Sequence, residues 1–528
     1  MDNTWARGGR SRYPALPSGG SCGPRRNFPG AGRDRGLAVV EKTVNGGGDP
    51  APAGATRPLA EAERLNDTPD GPKRARSPRF LYTVIDLQRA LCDRRRYRRQ
   101  IEHLFDRTLF EPGRRALRQD GVGLETVFDH QRRVAGLLAG AVGNHQYEFA
   151  PGRVREIFVD GKVRDVFSFR LTDLLVHGVV AEIVGEASGG LLSPRLFSYR
   201  QGLSWQEAVS EFAALVRRNR RAQPDPRERG LYVMRRDIDS YTDSIPVFPG
   251  APLWTMLAGL FRTNPAGGPP VGWNIIEAVV RPLVFGKDGG LMNLVRGVPT
   301  GQPISCVLFN FYLHELDHEL AGIPGGFYAR YSDDIIFAHP DPDAADEAMR
   351  AAKRRVGTLG LKFKPAKSWD IFLTGAGRPS PLRPGARGRG SVPLLGTEVW
   401  ADGTISLDRD KSRALLRDLE DRAERAARSL RGRPVPVVGR AVCAVINRAL
   451  HPEAKILRQR SADIVWRILT NRPQLRHLDG LIARLAVRAV TGDGGAKAFR
   501  RVPYRVVREE WGLASLFRGR DRKREGRR

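Results

Sequence analysis

The spacing of hydrophobic residues changes along the chain and separates helical stretches from extended ones. From Phe80 to about Gln146, apolar residues recur three and four positions apart, which predicts helices. Helical spacing returns from Asp408 to about Val490, beginning with a stripe of leucines and alanines that has arginines opposite. Between these regions lie several short β-rich runs. The sequence therefore predicts an α+β protein with its strands in the middle of the chain.

Two of the β-rich runs flank Asp160 and Gly161, a dipeptide that strongly favours a two-residue hairpin turn. Alternation along the second run places Lys162 and Arg164 on one face of this hairpin. Arg170 follows a few residues later as a third basic side chain. A basic hairpin face of this kind is suited to an anionic ligand.

A second hairpin is expected from Tyr328 to Phe337, where apolar and aromatic residues flank two adjacent carboxylates, Asp333 and Asp334. An upstream β-rich run delivers a third carboxylate, Asp237, to a strand end. Adjacent negative charges raise each other's pKa unless a cation neutralises them. Pairs of divalent metal ions do this in polymerases and nucleases. The alternative for the Asp-Asp pair by itself is a solvated turn, in which this dipeptide is common.

Three further segments complete the middle of the chain. A glycine- and proline-rich loop, Gly297 to Ser305, opens an apolar helix from Val307 to Leu316. Beyond the Asp-Asp turn, Asp343 to Leu359 has the pattern of an exposed helix. The β-rich run from Pro393 to Leu407 contains a Gly-bearing turn and predicts another hairpin.

The net charge of the chain indicates what kind of partner the protein binds. The 528 residues have a net charge of +30, of which +6 lies in residues 1–80 and +5 in residues 518–528. The remaining +19 lies on residues 81–517, so a folded basic surface that binds a polyanion is expected. A surface that serves only solubility is the alternative. Residues 1–80 contain 13 Gly and 10 Pro and are expected to be disordered.

Cysteine content and hydropathy limit the other possibilities. The four cysteines are far apart and form no Cys-x-x-Cys or Cys/His cluster, which argues against structural zinc and for reduced thiols. No apolar run reaches the length of a membrane span, and the N-terminus has no apolar signal core. We therefore expect a cytoplasmic protein without membrane contact.

The three segments around Asp237, Gly297–Ser305 and Asp333, taken in order, resemble motifs A, B and C of reverse transcriptases. Tyr331-Ser332-Asp333-Asp334 resembles the Tyr-x-Asp-Asp box of that family, and Ser198–Ser204 resembles the block that follows its fingers hairpin. The resemblance implies a right-hand polymerase: fingers, an antiparallel palm sheet backed by helices, and a helical thumb. It divides the chain into a disordered basic segment (1–80), an N-terminal helical region (81–150), fingers and palm (151–407), thumb and C-terminal extension (408–517) and a basic tail (518–528).

The resemblance also implies roles for particular residues. Asp237, the carbonyl of Ile238, Asp333 and Asp334 would hold two Mg²⁺ ions, with Mn²⁺ as a substitute. Lys367 would act as the general acid toward the leaving pyrophosphate; an ordinary surface lysine is the alternative. The remaining expected contacts are the nucleotide-binding residues Lys162, Arg164, Arg170, Tyr241, Thr242, Thr300, Gly301 and Gln302, and the primer-grip residues Leu395 and Gly396.

Two positions depart from the family pattern. Reverse transcriptases usually have two aromatics at the fourth and fifth positions after the catalytic Asp, whereas this chain has Tyr241 and then Thr242. A shift of one residue changes side-chain direction, which predicts weaker discrimination against the sugar 2′-hydroxyl. Where relatives read Pro-Gln-Gly, this chain reads Pro299-Thr300-Gly301, and Gln302 is the nearest amide.

The sequence is compatible with several hypotheses about the function. The chain is most similar to divergent stand-alone bacterial reverse transcriptases linked to antiphage defence, which use a dedicated noncoding RNA as template, a DNA or RNA primer and dNTPs. Retron and group II intron-type enzymes, an RNA-templated RNA polymerase and a non-catalytic RNA-binding scaffold are the alternatives.

Overall fold

The computed structural model describes residues 84–108, 118–119, 122–159, 162–223, 230–375, 377–380, 386–450, 468–495 and 497–517. The predictions for residues 1–80, for the Asp160-Gly161 turn, for the helical segment near 459–467 and for the tail 518–528 lie outside these ranges.

The N-terminal region is helical, as its periodicity predicts. A short two-stranded ribbon interrupts the helices, and their apolar sides pack into the larger of two hydrophobic cores. The elements are α1 (Leu87–Leu91), α2 (Arg94–Thr108), β1 (Arg118–Gln119), β2 (Val122–Gly123), α3 (Leu124–Asp129) and α4 (Gln131–Gly143).

The predicted fingers hairpin is confirmed and belongs to a four-stranded sheet. Strands β3 (Gly152–Val159) and β4 (Lys162–Ser168) pair antiparallel from Arg153 opposite Ser168 to Val159 opposite Lys162. Strands β6 (Leu283–Phe285) and β7 (Leu291–Asn293) extend it in the order β4-β3-β6-β7. The described helices between β4 and β6 in the chain are α5 (Leu171–Gly189), α6 (Trp205–Ala222), α7 (Tyr241–Ser244), α8 (Pro252–Ala258) and α9 (Trp273–Val280).

A five-stranded sheet carries the candidate site. Its order is β11-β10-β5-β9-β8; all neighbouring pairs are antiparallel except β10 and β11. The strands are β5 (Gly230–Asp237), β8 (Phe327–Tyr331), β9 (Asp334–His339), β10 (Trp369–Thr374) and β11 (Arg387–Arg389). The helices between them are α10 (Pro303–Phe311), α11 (His314–Ala321) and α12 (Pro342–Thr358).

Alternation along these strands sends their side chains into two different cores. On β5, Tyr232 and Met234 face the core shared with the N-terminal helices and α10 to α12. Leu231 and Val233 face a second core, formed with α6 and the C-terminal helices. Both faces of the sheet are therefore covered, and its candidate functional residues lie where β5 and β8 end and β9 begins.

The helix predicted from Val307 to Leu316 differs from the observed one. Helix α10 begins earlier, at Pro303, where proline is favoured because the first helical N–H needs no partner. It ends at Phe311, and α11 starts after Tyr312 and Leu313. The helix predicted after the Asp-Asp turn is confirmed as α12, but it is exposed on one side only, since Ala348, Ala352 and Val356 pack into the larger core.

The C-terminal part begins with a small sheet and continues as helices. The predicted hairpin is present between β13 and β14, and a further strand, β12, pairs with β13. The described elements are β12 (Ser391–Leu394), β13 (Thr397–Trp400), β14 (Ile405–Leu407), α13 (Arg409–Ser429), α14 (Val435–Leu450), α15 (Arg472–Thr491), α16 (Ala498–Arg501) and a π-helical turn (Val506–Glu510). The arrangement is α+β, as predicted.

Candidate active site

The two adjacent carboxylates lie at a tight turn between β8 and β9. The strands pair antiparallel up to Tyr331 opposite Asp334, which leaves Ser332 and Asp333 as the connection. Ser332 has a φ of +59°, a left-handed conformation that is uncommon for residues other than glycine. A two-residue hairpin connection favours such values, so the turn itself places Asp333 at the tip.

The third carboxylate meets this turn through strand pairing. Asp237, the last residue of β5, lies opposite Asp334 in the register of β5 with β9. The Ile238 N–H donates to the Asp333 carbonyl at 3.2 Å, which ties the next residue to the turn. Asp237, Asp333 and Asp334 are therefore gathered at one end of the sheet, as the order of the motifs led us to expect.

These carboxylates experience desolvation and mutual repulsion. Burial raises the pKa of Asp333, and the negative charge of Asp237 raises it further. Burial also raises the pKa of Asp334, although the Arg235 guanidinium opposes that shift. A cation in contact with the carboxylates would relieve both effects.

Basic side chains of the same chain already neutralise part of this charge. Arg235 binds Asp334 with both ends of its guanidinium, Nε to Oδ1 at 2.7 Å and Nη2 to Oδ2 at 2.8 Å. Lys367 Nζ donates to Asp237 Oδ2 at 2.8 Å. Two of the three carboxylates therefore have a cationic partner, and the sequence analysis did not anticipate the one at Arg235.

Lys367 reaches Asp237 because its segment runs beside the residues after β5. The Lys364 N–H donates to the Asp237 carbonyl at 2.7 Å, and the Asp239 N–H donates to the Lys362 carbonyl at 2.9 Å. A short 3₁₀ turn, Pro365–Lys367, then presents the lysine side chain. The predicted general acid therefore lies at the acidic site, although it starts out paired with a carboxylate.

The glycine-rich loop before α10 is joined to the fingers hairpin. The Phe167 N–H of β4 donates to the Thr300 carbonyl at 3.0 Å. Gly301 has a φ of +105°, and a Cβ there would lie 3.0 Å from Val166 Cγ1, so the close approach requires glycine. The exposed Gly301 and half-buried Thr300 remain accessible, as a nucleotide contact would need.

The position of Gln302 differs from the nucleotide contact that we expected of it. It precedes α10 and is only 3% exposed. Neither its amide oxygen nor its amide nitrogen has a hydrogen-bond partner among the described residues. The structure thus buries the amide that we expected to reach the nucleotide.

Tyr241 is also in the interior. It is 2% exposed, its hydroxyl donates to the Phe309 carbonyl at 2.7 Å, and its ring contacts the Phe309 ring. The neighbouring Thr242 is half-buried. The left-handed Ser240 (φ +46°) begins the short helix that turns Tyr241 inward. Burial in the core thus places Tyr241 away from the nucleotide contact that we expected of it.

The three basic residues expected to contact the nucleotide, Lys162, Arg164 and Arg170, differ in their surroundings. Lys162 begins β4, but its side chain is outside the described set. Burial raises the pKa of Asp243, which lies just after the Asp237 strand, and the positive charge of Arg164 opposes that rise. Arg170 instead binds Asp173 through Nε at 3.0 Å and the Glu148 carbonyl through Nη2. These contacts stabilise the start of α5. They direct the Arg170 side chain at Asp173 and Glu148 and not at a triphosphate.

The expected primer grip lies at the turn between β12 and β13. Leu395 and Gly396 both have left-handed φ values, +49° and +82°. The Gly396 carbonyl accepts from the Asp408 N–H at 3.3 Å, just before α13. The turn is therefore hydrogen-bonded to the residue that caps α13.

Whether the site can hold a metal ion depends on its carboxylates. Across the described ranges, no three His, Cys, Asp or Glu side chains come together in a geometry that could hold a metal. At this site, Arg235 and Lys367 engage two of the carboxylates instead. Asp237, Asp333 and the Ile238 carbonyl nevertheless supply hard oxygen donors in a partly buried, negatively charged position, which suits Mg²⁺. The donor set fits a divalent cation held by two carboxylates, which Asp334 can join only by leaving Arg235.

Comparison with known proteins supports the same class. Residues 258–398 match the family model of reverse transcriptase (RNA-dependent DNA polymerase). The match includes the glycine-rich loop, the Asp-Asp turn and Lys367, whereas Asp237 precedes it. Residues 258–398 therefore form a reverse transcriptase domain, and the α+β arrangement of the described residues is consistent with a right-hand polymerase fold. The domain is that of an RNA-directed DNA polymerase, a nucleotidyltransferase.

Solved structures similar to this chain include telomerases from two Candida species. They are apo telomerase from Candida tropicalis truncated from the C-terminal domain (13% identity, 49% of this chain and 55% of that chain, TM-score 0.35) and telomerase from Candida albicans in complex with a fragment of telomeric RNA (11%, 72% and 67%, TM-score 0.37). The first is therefore matched over little more than half its length. No match was found among curated proteins. Within the described ranges, no helix is long and apolar enough to cross a bilayer.

Proposed function

We propose that this protein extends a primer 3′-hydroxyl with nucleotides, as an RNA-directed DNA polymerase that uses two-metal nucleotidyl transfer. The observation that carries the proposal is the placement of Asp237 and Asp333 on neighbouring, hydrogen-bonded segments at one end of the sheet. A reverse transcriptase domain that matches the chain around Asp333 supports it.

The residues have separate tasks in this proposal. Asp237, Asp333 and the Ile238 carbonyl would hold the two Mg²⁺ ions, or Mn²⁺ in their place, and Asp334 would complete the acidic site. When bound, the ions lower the pKa of the attacking hydroxyl and offset charge on the leaving pyrophosphate. Lys367 would donate a proton to the pyrophosphate oxygen once it separates from Asp237.

Substrate binding would use the glycine-rich loop and the fingers hairpin. Thr300 and Gly301 would contact the nucleotide, and so would Lys162 and Arg164, which belong to the strand bonded to that loop. Leu395 and Gly396 would contact the primer at the start of the thumb. A template RNA and a primer fit the +30 charge of the chain, because phosphates are attracted to a basic surface.

The biological setting is a further part of the proposal. The resemblance to stand-alone bacterial enzymes supports a role in antiphage defence, in the cytoplasm, with a dedicated noncoding RNA as template. Sequencing the RNA that copurifies with the protein tests this directly. One discrete RNA species would support a dedicated template, whereas a mixture of cellular RNAs would argue against it.

The catalytic proposal is tested by nucleotide incorporation. The full-length protein with its copurified nucleic acid is supplied with Mg²⁺ and labelled dNTPs or rNTPs, beside an Asp333→Ala/Asp334→Ala variant. A DNA product that is absent from the variant is expected. Binding of RNA without a metal-dependent product from either nucleotide set would favour the scaffold function.

An RNA-templated RNA polymerase is a second candidate because of one observation. Tyr241, the aromatic nearest the usual sugar gate, is buried, and its half-buried neighbour is Thr242. A site without an aromatic beside the 2′-position has less to exclude a ribonucleotide. Efficient rNTP incorporation with weak use of dNTPs would favour this candidate.

A further inference from the structure

A fully buried ion pair lies next to the turn that carries Asp333. Arg330, on β8, and Asp317, on α11, are both 0% exposed. Arg330 Nε and Nη2 each donate to a different oxygen of Asp317 at 2.6 Å. Burial of a guanidinium is unfavourable unless its donors are satisfied, so its other contacts are informative.

The remaining donors of Arg330 connect two parts of the site. Nη2 donates to the Asn310 carbonyl at 2.9 Å, and Nη1 donates to the Phe309 carbonyl at 3.2 Å, both in the last turn of α10. These carbonyls lie at a helix end, where intrahelical partners are missing. Nη1 also donates to the Ser332 carbonyl at 3.0 Å. One side chain therefore joins the end of α10 to the Asp-Asp turn.

Ser332 is held from its other side as well. Its N–H donates to Ser198 Oγ at 3.0 Å, and Ser198 Oγ donates to Asn310 Oδ1 at 2.9 Å. Asn310 Nδ2 in turn donates to the Ser198 carbonyl at 2.8 Å. Both backbone polar groups of Ser332, in its left-handed conformation, are therefore bonded to buried side chains. Asp333 is the next residue, so its position depends on these bonds.

We infer that Arg330, held by Asp317, is a positioning residue that fixes the Asp333 turn relative to α10, the helix that follows the nucleotide-binding loop. The inference rests on the proposed function. A buried ion pair is weak evidence for a role in stability, because apolar groups of similar shape can replace such pairs without loss. The bond to the Ser332 carbonyl is different, since no apolar side chain can supply it.

Two variants test the inference. The apolar triple variant Arg330→Met/Asp317→Leu/Tyr328→Phe removes the pair together with the tyrosine hydroxyl that donates to Asp317 at 2.6 Å. Ser198→Ala removes the other contact to the turn and keeps the pair. In both, we expect kcat to fall by about 10- to 100-fold with little change in the KM for nucleotide, because small displacements of a reacting group are costly. The midpoint of thermal unfolding of Ser198→Ala should fall by a few degrees, because the buried Ser332 N–H and Asn310 Oδ1 lose their partner.

A second measurement does not depend on turnover. Amide hydrogen exchange of the peptide covering 329–336 should accelerate by tenfold or more in both variants, while peptides of β10 stay protected. Turnover and exchange equal to wild type in a triple variant that remains folded would overturn the inference. If the wild-type protein makes no product, the proposed function fails, and the exchange measurement still decides whether Arg330 positions the turn.

Discussion

Replacing Arg235 by methionine should strengthen Mg²⁺ binding at the acidic site. Arg235 lies on the same strand face as Asp237 and occupies both oxygens of Asp334. A metal ion that recruits Asp334 must first separate this pair. The variant frees the carboxylate in advance and keeps an apolar stem of similar length.

The size of the effect follows from the geometry of the pair. Its two bonds are 2.7 and 2.8 Å long, and the side chains of Arg235 and Asp334 are 29% and 13% exposed. Hydrogen bonds to charged groups contribute about 1.5 to 3 kcal/mol each, and partial exposure to solvent reduces this. We therefore take about 1.5 to 3 kcal/mol for the whole pair, which corresponds to roughly 10- to 100-fold tighter Mg²⁺ binding in Arg235→Met.

Isothermal titration of Mg²⁺ into the metal-free full-length protein, at constant ionic strength, measures this change. Arg236→Met is the matched control, because Arg236 forms a similar two-bond pair with Asp370 and not with a candidate ligand. We expect its affinity to stay within about threefold of wild type, since Arg236 is paired with Asp370 and its charge acts on the candidate ligands only at longer range, where salt screens it. Arg235→Lys retains the positive charge without the two-pronged geometry and should lie between wild type and Arg235→Met. If Arg235→Met bound Mg²⁺ no more tightly than Arg236→Met, competition for Asp334 would be refuted.

Two other regions give predictions of a different kind. Tyr241→Phe removes a buried hydrogen bond to the Phe309 carbonyl, so the free energy of unfolding should fall by about 1 kcal/mol while the dNTP:rNTP incorporation ratio is unchanged; a changed ratio would place Tyr241 at the sugar after all. Thr242→Phe restores an aromatic one residue later and should lower rNTP incorporation relative to dNTP in single-nucleotide extension, with an unchanged ratio counting against a sugar contact. Burial lowers the pKa of His177 to about 3, so between pH 7 and pH 5 only the unfolded chain, with a His pKa of about 6.5, takes up the proton. Acidification over that range should therefore cost wild type about 2 kcal/mol more unfolding free energy than His177→Leu in denaturant titrations, and parallel pH curves would contradict the assignment.

Much of the candidate site could be predicted from local sequence. The alternation from Tyr328 to Phe337 predicts two strands and a turn, and the turn residues place Asp333 at its tip. The β-rich run before Asp237 predicts a strand end there, which is also observed. These predictions succeed because strand alternation and turn geometry depend on residues that are neighbours in the chain.

The partners of these residues could not be predicted in the same way. Arg235 and Asp334 are 99 positions apart, and Lys367 lies 130 positions after Asp237. Arg235 could have been suspected, because it shares a strand face with Asp237. Its pairing with Asp334 depends on the register between β5 and β9, which no local sequence pattern specifies.

The burial of Tyr241 and Gln302 shows the same limit. Spacing from Asp237 placed Tyr241 near a nucleotide, but the left-handed Ser240 turns its ring toward Phe309. Gln302 is polar and adjacent to a glycine loop, yet it is enclosed where that loop meets the fingers hairpin. Both outcomes depend on which segments pack over the residue, and the periodicity of apolar residues along the chain does not predict that packing.

The sequence by itself determined the α+β class, the order of the three carboxylate- and glycine-bearing motifs and the strand ends that carry Asp237 and Asp333. Tertiary structure alone decided that Arg235 holds Asp334, that Lys367 starts out bonded to Asp237 and that Arg330 joins the Asp333 turn to α10. The physical reason is the range of each interaction. Alternation and turn preference act over a few residues, whereas ion pairing and burial depend on distant segments that meet only in the folded chain.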